Sequence, residues 1–142
     1  MGKLKLTNET AVVKITPDSI SLYRYQNGPT YCSKPKNKNG DLVFMELIRD
    51  GKIRLYEYTV NSTIENHSIS SLYAEKDSMG CKEVKTSALL RGGGPEGKEF
   101  FRALIADNPS VLSKFDKRPY YTSNAIFEAV EEYNKQALTR KN

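Results

Sequence analysis

Leu42-Val43-Phe44-Met45-Glu46-Leu47-Ile48, then Asp50-Gly51, then Lys52-Ile53-Arg54-Leu55-Tyr56-Glu57-Tyr58-Thr59-Val60 is the stretch from which the rest of the chain can be read. The first run is almost continuously apolar, as a strand covered on both faces is. The last run alternates, with Ile53 and Leu55 on one side and Arg54, Tyr56 and Tyr58 on the other. Asp-Gly between two such runs predicts a hairpin closed by a two-residue type I′ turn. A slip of one residue would turn Ile53 and Leu55 outward, so the register is well specified.

On the N-terminal side, the same period-two alternation is read over Thr10–Thr16 and Ser19–Gln26. Thr16-Pro17-Asp18-Ser19 marks a turn between them, and Asn27-Gly28 a tight turn before Thr30-Tyr31-Cys32. Lys34 to Gly40 interleaves lysines with Pro35, Asn37, Asn39 and Gly40 and reads as a solvated loop. On the C-terminal side, Asn61–Asn66 reads as a polar loop, and Ser68–Glu75 and Lys82–Leu90 as further strands.

Gly92-Gly93-Gly94-Pro95 changes the period. Phe100, Phe101, Leu104 and Ile105 fall at helical spacing, with Pro95 suited to a first helical position. Asn108-Pro109 ends that helix and starts another carrying Val111, Leu112 and Phe115. Thr122, Ser123 and Asn124 offer caps for a last helix lined by Ile126, Phe127, Val130, Tyr133 and Ala137. The expected fold is therefore α+β: an antiparallel meander sheet or partly open barrel of about six to eight strands, covered by two or three C-terminal helices. The 142 residues form one expected domain, mainly β over 1–91 and mainly helical over 92–142.

Composition narrows function less than fold. The net charge of +5 comes from 22 basic and 17 acidic residues, an excess too modest to mark a dedicated nucleic-acid domain. No apolar stretch is long enough to span a bilayer as a helix. The two cysteines, Cys32 and Cys81, form no Cys-x-x-Cys pair; they are either two reduced thiols or one disulfide closing a long loop.

Gly92 to Lys98 has the Gly-x-x-x-x-Gly-Lys spacing of a phosphate loop, but Glu99 stands where a Ser or Thr would meet Mg²⁺. A flexible strand-to-helix connection is the better reading. His67, the single histidine, sits in the polar Asn66-His67-Ser68 segment with no ligand partners in sequence, and no serine occupies a Gly-x-Ser-x-Gly elbow. Glu128, Glu131 and Glu132 read as the wet face of an amphipathic helix. Three sequons, at Asn8, Asn61 and Asn66, mark surface turns. No catalytic residue, metal site or cofactor is expected.

The tyrosines are the candidate ligand-binding residues. Tyr23 and Tyr25 share a strand face, and Tyr56 and Tyr58 share one with Arg54. Stacked rings beside a guanidinium can hold single-stranded nucleic acid or a sugar; the competing reading packs them half-buried beneath the helices.

Pro17-Asp18-Ser19-Ile20 with Tyr23, then Gly51-Lys52-Ile53-Arg54-Leu55-Tyr56-Glu57-Tyr58, Asp107-Asn108-Pro109 and Val130-Glu131-Glu132-Tyr133-Asn134 together resemble a group of uncharacterised bacterial cell-envelope proteins. Members of that group carry a leader peptide, a β-rich region with a Gly-Lys-Ile-x-Leu-Tyr strand, and terminal helices ending in Tyr-Asn. This chain begins without such a leader, and some members have Cys near the position of Asn108. The resemblance implies the periplasm or outer envelope, with the cytoplasm as the alternative, and it carries over no activity. The expectation is a non-catalytic envelope module binding a protein or cell-surface component. The alternative is a binder of single-stranded nucleic acid or another polyanion through the Tyr/Arg/Lys sheet face.

Overall fold

The computed structural model describes residues 14–63, 67–87 and 95–140. Among these, six strands form one antiparallel sheet in sequence order: β1 (Leu22–Arg24), β2 (Thr30–Pro35), β3 (Leu42–Arg49), β4 (Ile53–Ser62), β5 (His67–Lys76) and β6 (Cys81–Thr86). Three helices follow, α1 (Pro95–Ile105), α2 (Pro109–Asp116) and α3 (Ser123–Thr139). The fold is α+β and the sheet is open, its end strands β1 and β6 being unpaired with each other. The expected strand over Thr10–Thr16 falls mostly outside the described residues, and Lys14–Thr16 are not in a strand. His67 stands at the start of β5, paired with Ser62, rather than in a loop, because β4 and β5 run on to that register.

The two faces of the sheet bury different things. On one face Ile53, Leu55, Leu72, Ala74 and Val84 pack against Phe101, Leu104, Ile105, Ile126 and Val130 of the helices. This is the apolar platform that the alternation of β4 demands, and the helices close it as expected. On the other face Cys32, Met45, Tyr56 and Tyr73 make a second buried cluster. No helix among the described residues packs on that cluster; the sheet curls over it. Lys34 of β2 reaches Glu75 of β5 at 2.8 Å, and the Tyr73 hydroxyl donates to the Lys36 carbonyl at 2.9 Å. These bonds draw β2 towards β5 and β6 without a ladder between them.

The turn between β3 and β4 departs from the type I′ expectation. Asp50 is not among the positive-φ residues, and the register slips by one residue between Leu47 and Arg49. A tertiary contact replaces the local preference. Asn134 of α3 accepts the Ile53 N–H at 2.8 Å through Oδ1 and donates to the Ile53 carbonyl at 2.9 Å through Nδ2. Gly51 is needed for this approach, since a Cβ there would sit 2.5 Å from Asn134 Cγ.

A second close approach joins α1 to β6. Val84 is the extra residue of a bulge, lying between Glu83 and Lys85, which pair with Tyr73 and Leu72. The Val84 carbonyl accepts from the Tyr121 hydroxyl. A Cβ on Gly97 would lie 2.6 Å from that carbonyl oxygen, so glycine lets the first turn of α1 lie on the bulge. Gly97 thus has a packing role. The Gly92–Gly94 part of the phosphate-loop spacing lies outside the described residues.

Candidate functional site

The five residues singled out from sequence do not converge. Tyr23 and Tyr25 join Tyr31 and Phe44 in an aromatic group over β1–β3, with Tyr23 stacked on Tyr31 at 5.1 Å and edge-on to Phe44 at 4.8 Å. Strand register puts Tyr23 and Tyr31 on the side of the sheet that carries the helices. Burial, then the neighbouring rings, raises the Tyr23 hydroxyl above its usual range.

Arg54, Tyr56 and Tyr58 point to the opposite, concave side. Tyr56 is 1% exposed, with the Lys34 ammonium 5.3 Å from its ring and its hydroxyl donating to Glu75. Burial, then the Glu75 carboxylate, pushes that hydroxyl far upward. Tyr58 packs against the same cluster, and Arg54 is engaged by Asp50 at 3.2 Å. A buried ring offers no face to a base or sugar, so Tyr56 works as core.

Both thiols are free, Cys32 buried and Cys81 half-buried. Each belongs to or packs against the concave cluster. Burial, then Glu75, pushes the Cys81 thiol up to about 12, and burial raises Cys32 as well. Thiols held protonated in this way are poor nucleophiles.

A concavity lies elsewhere, around the edge strand β6. It encloses about 850 Å³ between the β2–β3 turn, β6 and the first turns of α1. Lys36 and Lys38 reach it from the turn, Lys82 and Lys85 from β6. Its apolar lining includes Pro35, Val84, Pro95 and Phe100. Two carboxylates, Glu83 and Glu96, share the lining with those four lysines, so the balance is positive.

The fold holds the lysines in place. The Asn37 side chain accepts the N–H groups of Asn39 and Asp41 and donates to the Asp41 carboxylate, which fixes the turn carrying Lys36 and Lys38. The Lys82 ammonium lies 5.0 Å from the Phe100 ring centroid, and Lys85 lies 5.4 Å from that of Tyr121. Lys98 of α1 stands over the same Tyr121 ring at 5.9 Å, just beyond the groove.

None of Lys36, Lys38, Lys82 and Lys85 has a carboxylate partner among the described residues, a state shared by Lys14, Lys117 and Lys135, whereas several cations elsewhere are paired. Lys34 meets Glu75, Arg49 meets Glu131, Lys52 meets Asp77, Lys76 meets Asp107, Arg102 meets Asp116 and Lys114 meets Glu132. No local pattern in the chain points to this grouping. Lys36 and Lys38 read as loop and Lys82 and Lys85 as strand, and only the curl that brings Lys36 over Tyr73 joins them. Lys34, read with that loop, belongs to β2 and is half-buried against Glu75.

Among the described residues, no group of three or more His, Cys, Asp and Glu side chains is placed to hold a metal ion, and no helix is long and apolar enough to cross a membrane. No family model matches the chain, and no curated protein or solved structure does either.

Proposed function

We propose that the chain is a non-catalytic binding module of the cell envelope that takes its partner in the groove between the β2–β3 turn, β6 and α1. The observation that carries this reading is the convergence of four lysines without carboxylate partners on one preformed, partly apolar concavity. Preformed concave sites with an apolar floor and a few convergent charges are where ligands bind. The envelope compartment is supported by the resemblance carried by Gly51–Tyr58, Asp107–Pro109 and Val130–Asn134.

Amine-reactive labelling in the presence of isolated envelope material tests the reading. Lys36, Lys38, Lys82 and Lys85 are expected to be shielded while Lys117 and Lys135 label as before. Unchanged labelling at all six positions overturns it.

The polyanion alternative keeps its chemistry but changes its address. The Tyr56 face is filled by its own sheet, and the lysines that could meet an anion border the groove.

A further inference from the structure

The binding reading above leaves the ligand open, and the groove itself narrows it. Its lining is cationic and partly apolar: the four lysines share it with the half-buried Pro35 and the exposed Pro95, while Val84 is 1% exposed and the Phe100 ring lies beneath Lys82. A ligand complementary to both must carry negative charge at its periphery and C–H surface between the charges. Inorganic phosphate chains have the charge and no apolar surface. Single-stranded nucleic acid has charge but calls for open aromatic rings on which bases stack. Here Phe100 and Tyr121 are already half-buried, with Lys82 standing over one ring and Lys85 over the other. Sugar rings bearing carboxylates meet both demands, since they present C–H faces to apolar side chains and carboxylates to ammonium groups.

We infer that the groove binds an acidic oligosaccharide, with Lys36, Lys38, Lys82 and Lys85 meeting its carboxylates and Pro35 and Pro95 its C–H faces. The inference rests on the groove being the binding site.

Lysines on an edge strand also deter pairing with a foreign strand, which accounts for Lys82 and Lys85 alone. That role needs nothing from the β2–β3 turn. Yet the turn brings two further unpaired lysines to the same hollow, and Asn37 orders it. Lysine rather than arginine fits a point-charge grip on carboxylates that differ in position along a chain.

The experiment is calorimetric titration of the full chain with hexagalacturonate at low salt, with maltohexaose and inorganic polyphosphate as comparison ligands. Three double variants have equal charge change: Lys36→Gln/Lys38→Gln, Lys82→Gln/Lys85→Gln, and Lys14→Gln/Lys117→Gln away from the groove. Both groove pairs are expected to lose at least about tenfold in affinity for hexagalacturonate and the remote pair about twofold or less. Maltohexaose is expected not to bind, and added salt to weaken the acidic ligand. Equal losses in all three variants overturn the site. Polyphosphate binding as tight as hexagalacturonate, or no binding of hexagalacturonate by the parent chain, overturns the ligand class. If hexagalacturonate fails while envelope material still shields the four lysines, the ligand class alone falls. Loss of the shielding as well takes the module reading with it.

Discussion

The contact between α3 and the β3–β4 turn and the groove beside β6 are built from the same kinds of side chain, put to opposite uses. At the first, polar groups are spent on one another. Asn134 closes both hydrogen bonds of Ile53. Lys76, 7% exposed, donates to the Leu104 carbonyl at 2.7 Å and to Asp107 at 3.0 Å, and Tyr133 donates to the same carboxylate. Asn108, 2% exposed, caps α2 by accepting from Val111 and donates to Gln136 of α3. In the groove, the exposed Lys36, Lys38 and Lys82 and the half-buried Lys85 have no carboxylate partners among the described residues. A buried polar group left without its partner costs more than the bond itself was worth, so the first region can only be structural. An exposed ammonium costs little to leave unpaired, so the second is free to meet something else.

The segments that carry the envelope resemblance fall largely in the first region. Gly51 and Ile53 meet Asn134; Asp107 meets Tyr133 and Lys76; Asn108 caps the helix between them. Those motifs describe how helices are bolted to a hairpin. They say how this fold is held, and they leave the ligand to surfaces that the motifs do not include.

The sharpest break in the comparison is Asn134→Leu. It removes an acceptor and a donor together and leaves the Ile53 N–H and carbonyl without partners under α3. The expected loss is about 2–4 kcal/mol, seen as a lower urea midpoint with an unchanged slope. A loss under about 0.5 kcal/mol, the range of ordinary surface substitutions, would put this contact in the same class as the groove.

Lys76→Met should come next, at about 2 kcal/mol, since charged hydrogen bonds contribute roughly 1.5–3 kcal/mol and methionine keeps most of the stem's packing. The effect is limited because Asp107 stays solvated: its side chain is 59% exposed, so the Leu104 carbonyl is the group left in need.

The same pair gives a pH signature. Partial burial works against the Asp107 carboxylate, but the bonds from Lys76 and Tyr133 outweigh it and hold the carboxyl below its usual value. The unfolded chain therefore takes up this proton first as the solution is acidified. The contribution is fully present above the unfolded value, near 3.8, and fades as pH falls through the lower folded value. The stability difference between the parent and Asp107→Asn should therefore be constant from pH 7 to about 5 and shrink in more acid solution. Thermal melts of both chains across that range check it, and a difference that grows on acidification would contradict the assignment.

How much of this could be read from the sequence follows from the range of the forces involved. Alternation in Ile53–Val60 and helical spacing in Phe100–Ile105 report local burial, and they located the sheet, the three helices and the face between them. The turn at Asp50-Gly51 departs from its local preference where Asn134, 81 residues from Ile53 in the chain, bonds the strand that follows it. Alternation puts Tyr56 and Tyr58 on one face with Arg54, as the register does, but alternation cannot say whether a face is open. The curl that buries Tyr56 depends on Lys34–Glu75 and Tyr73–Lys36, two long-range bonds with no local pattern. The groove was hidden for the same reason: its lysines lie in two separate segments that the curl brings together.

The smallest expected effect is the one on which the comparison turns. Lys82→Gln/Lys85→Gln and Lys36→Gln/Lys38→Gln should each leave stability within about 0.5 kcal/mol of the parent, because the ammonium groups take part in no ion pair among the described residues and glutamine keeps much of the aliphatic stem. The contacts of Lys82 with Phe100 and of Lys85 with Tyr121 set an upper limit, since exposed cation–π pairs contribute about 0.5–1 kcal/mol each. The Lys36/Lys38 pair has no such contact and should be the more silent of the two. Chemical denaturation of both variants beside Asn134→Leu would show whether the molecule keeps its structural polar groups and its available ones apart. A large loss in the Lys36/Lys38 variant would mean that the turn's lysines help hold the sheet's curl, and the groove would then belong with the α3 contact as part of the framework.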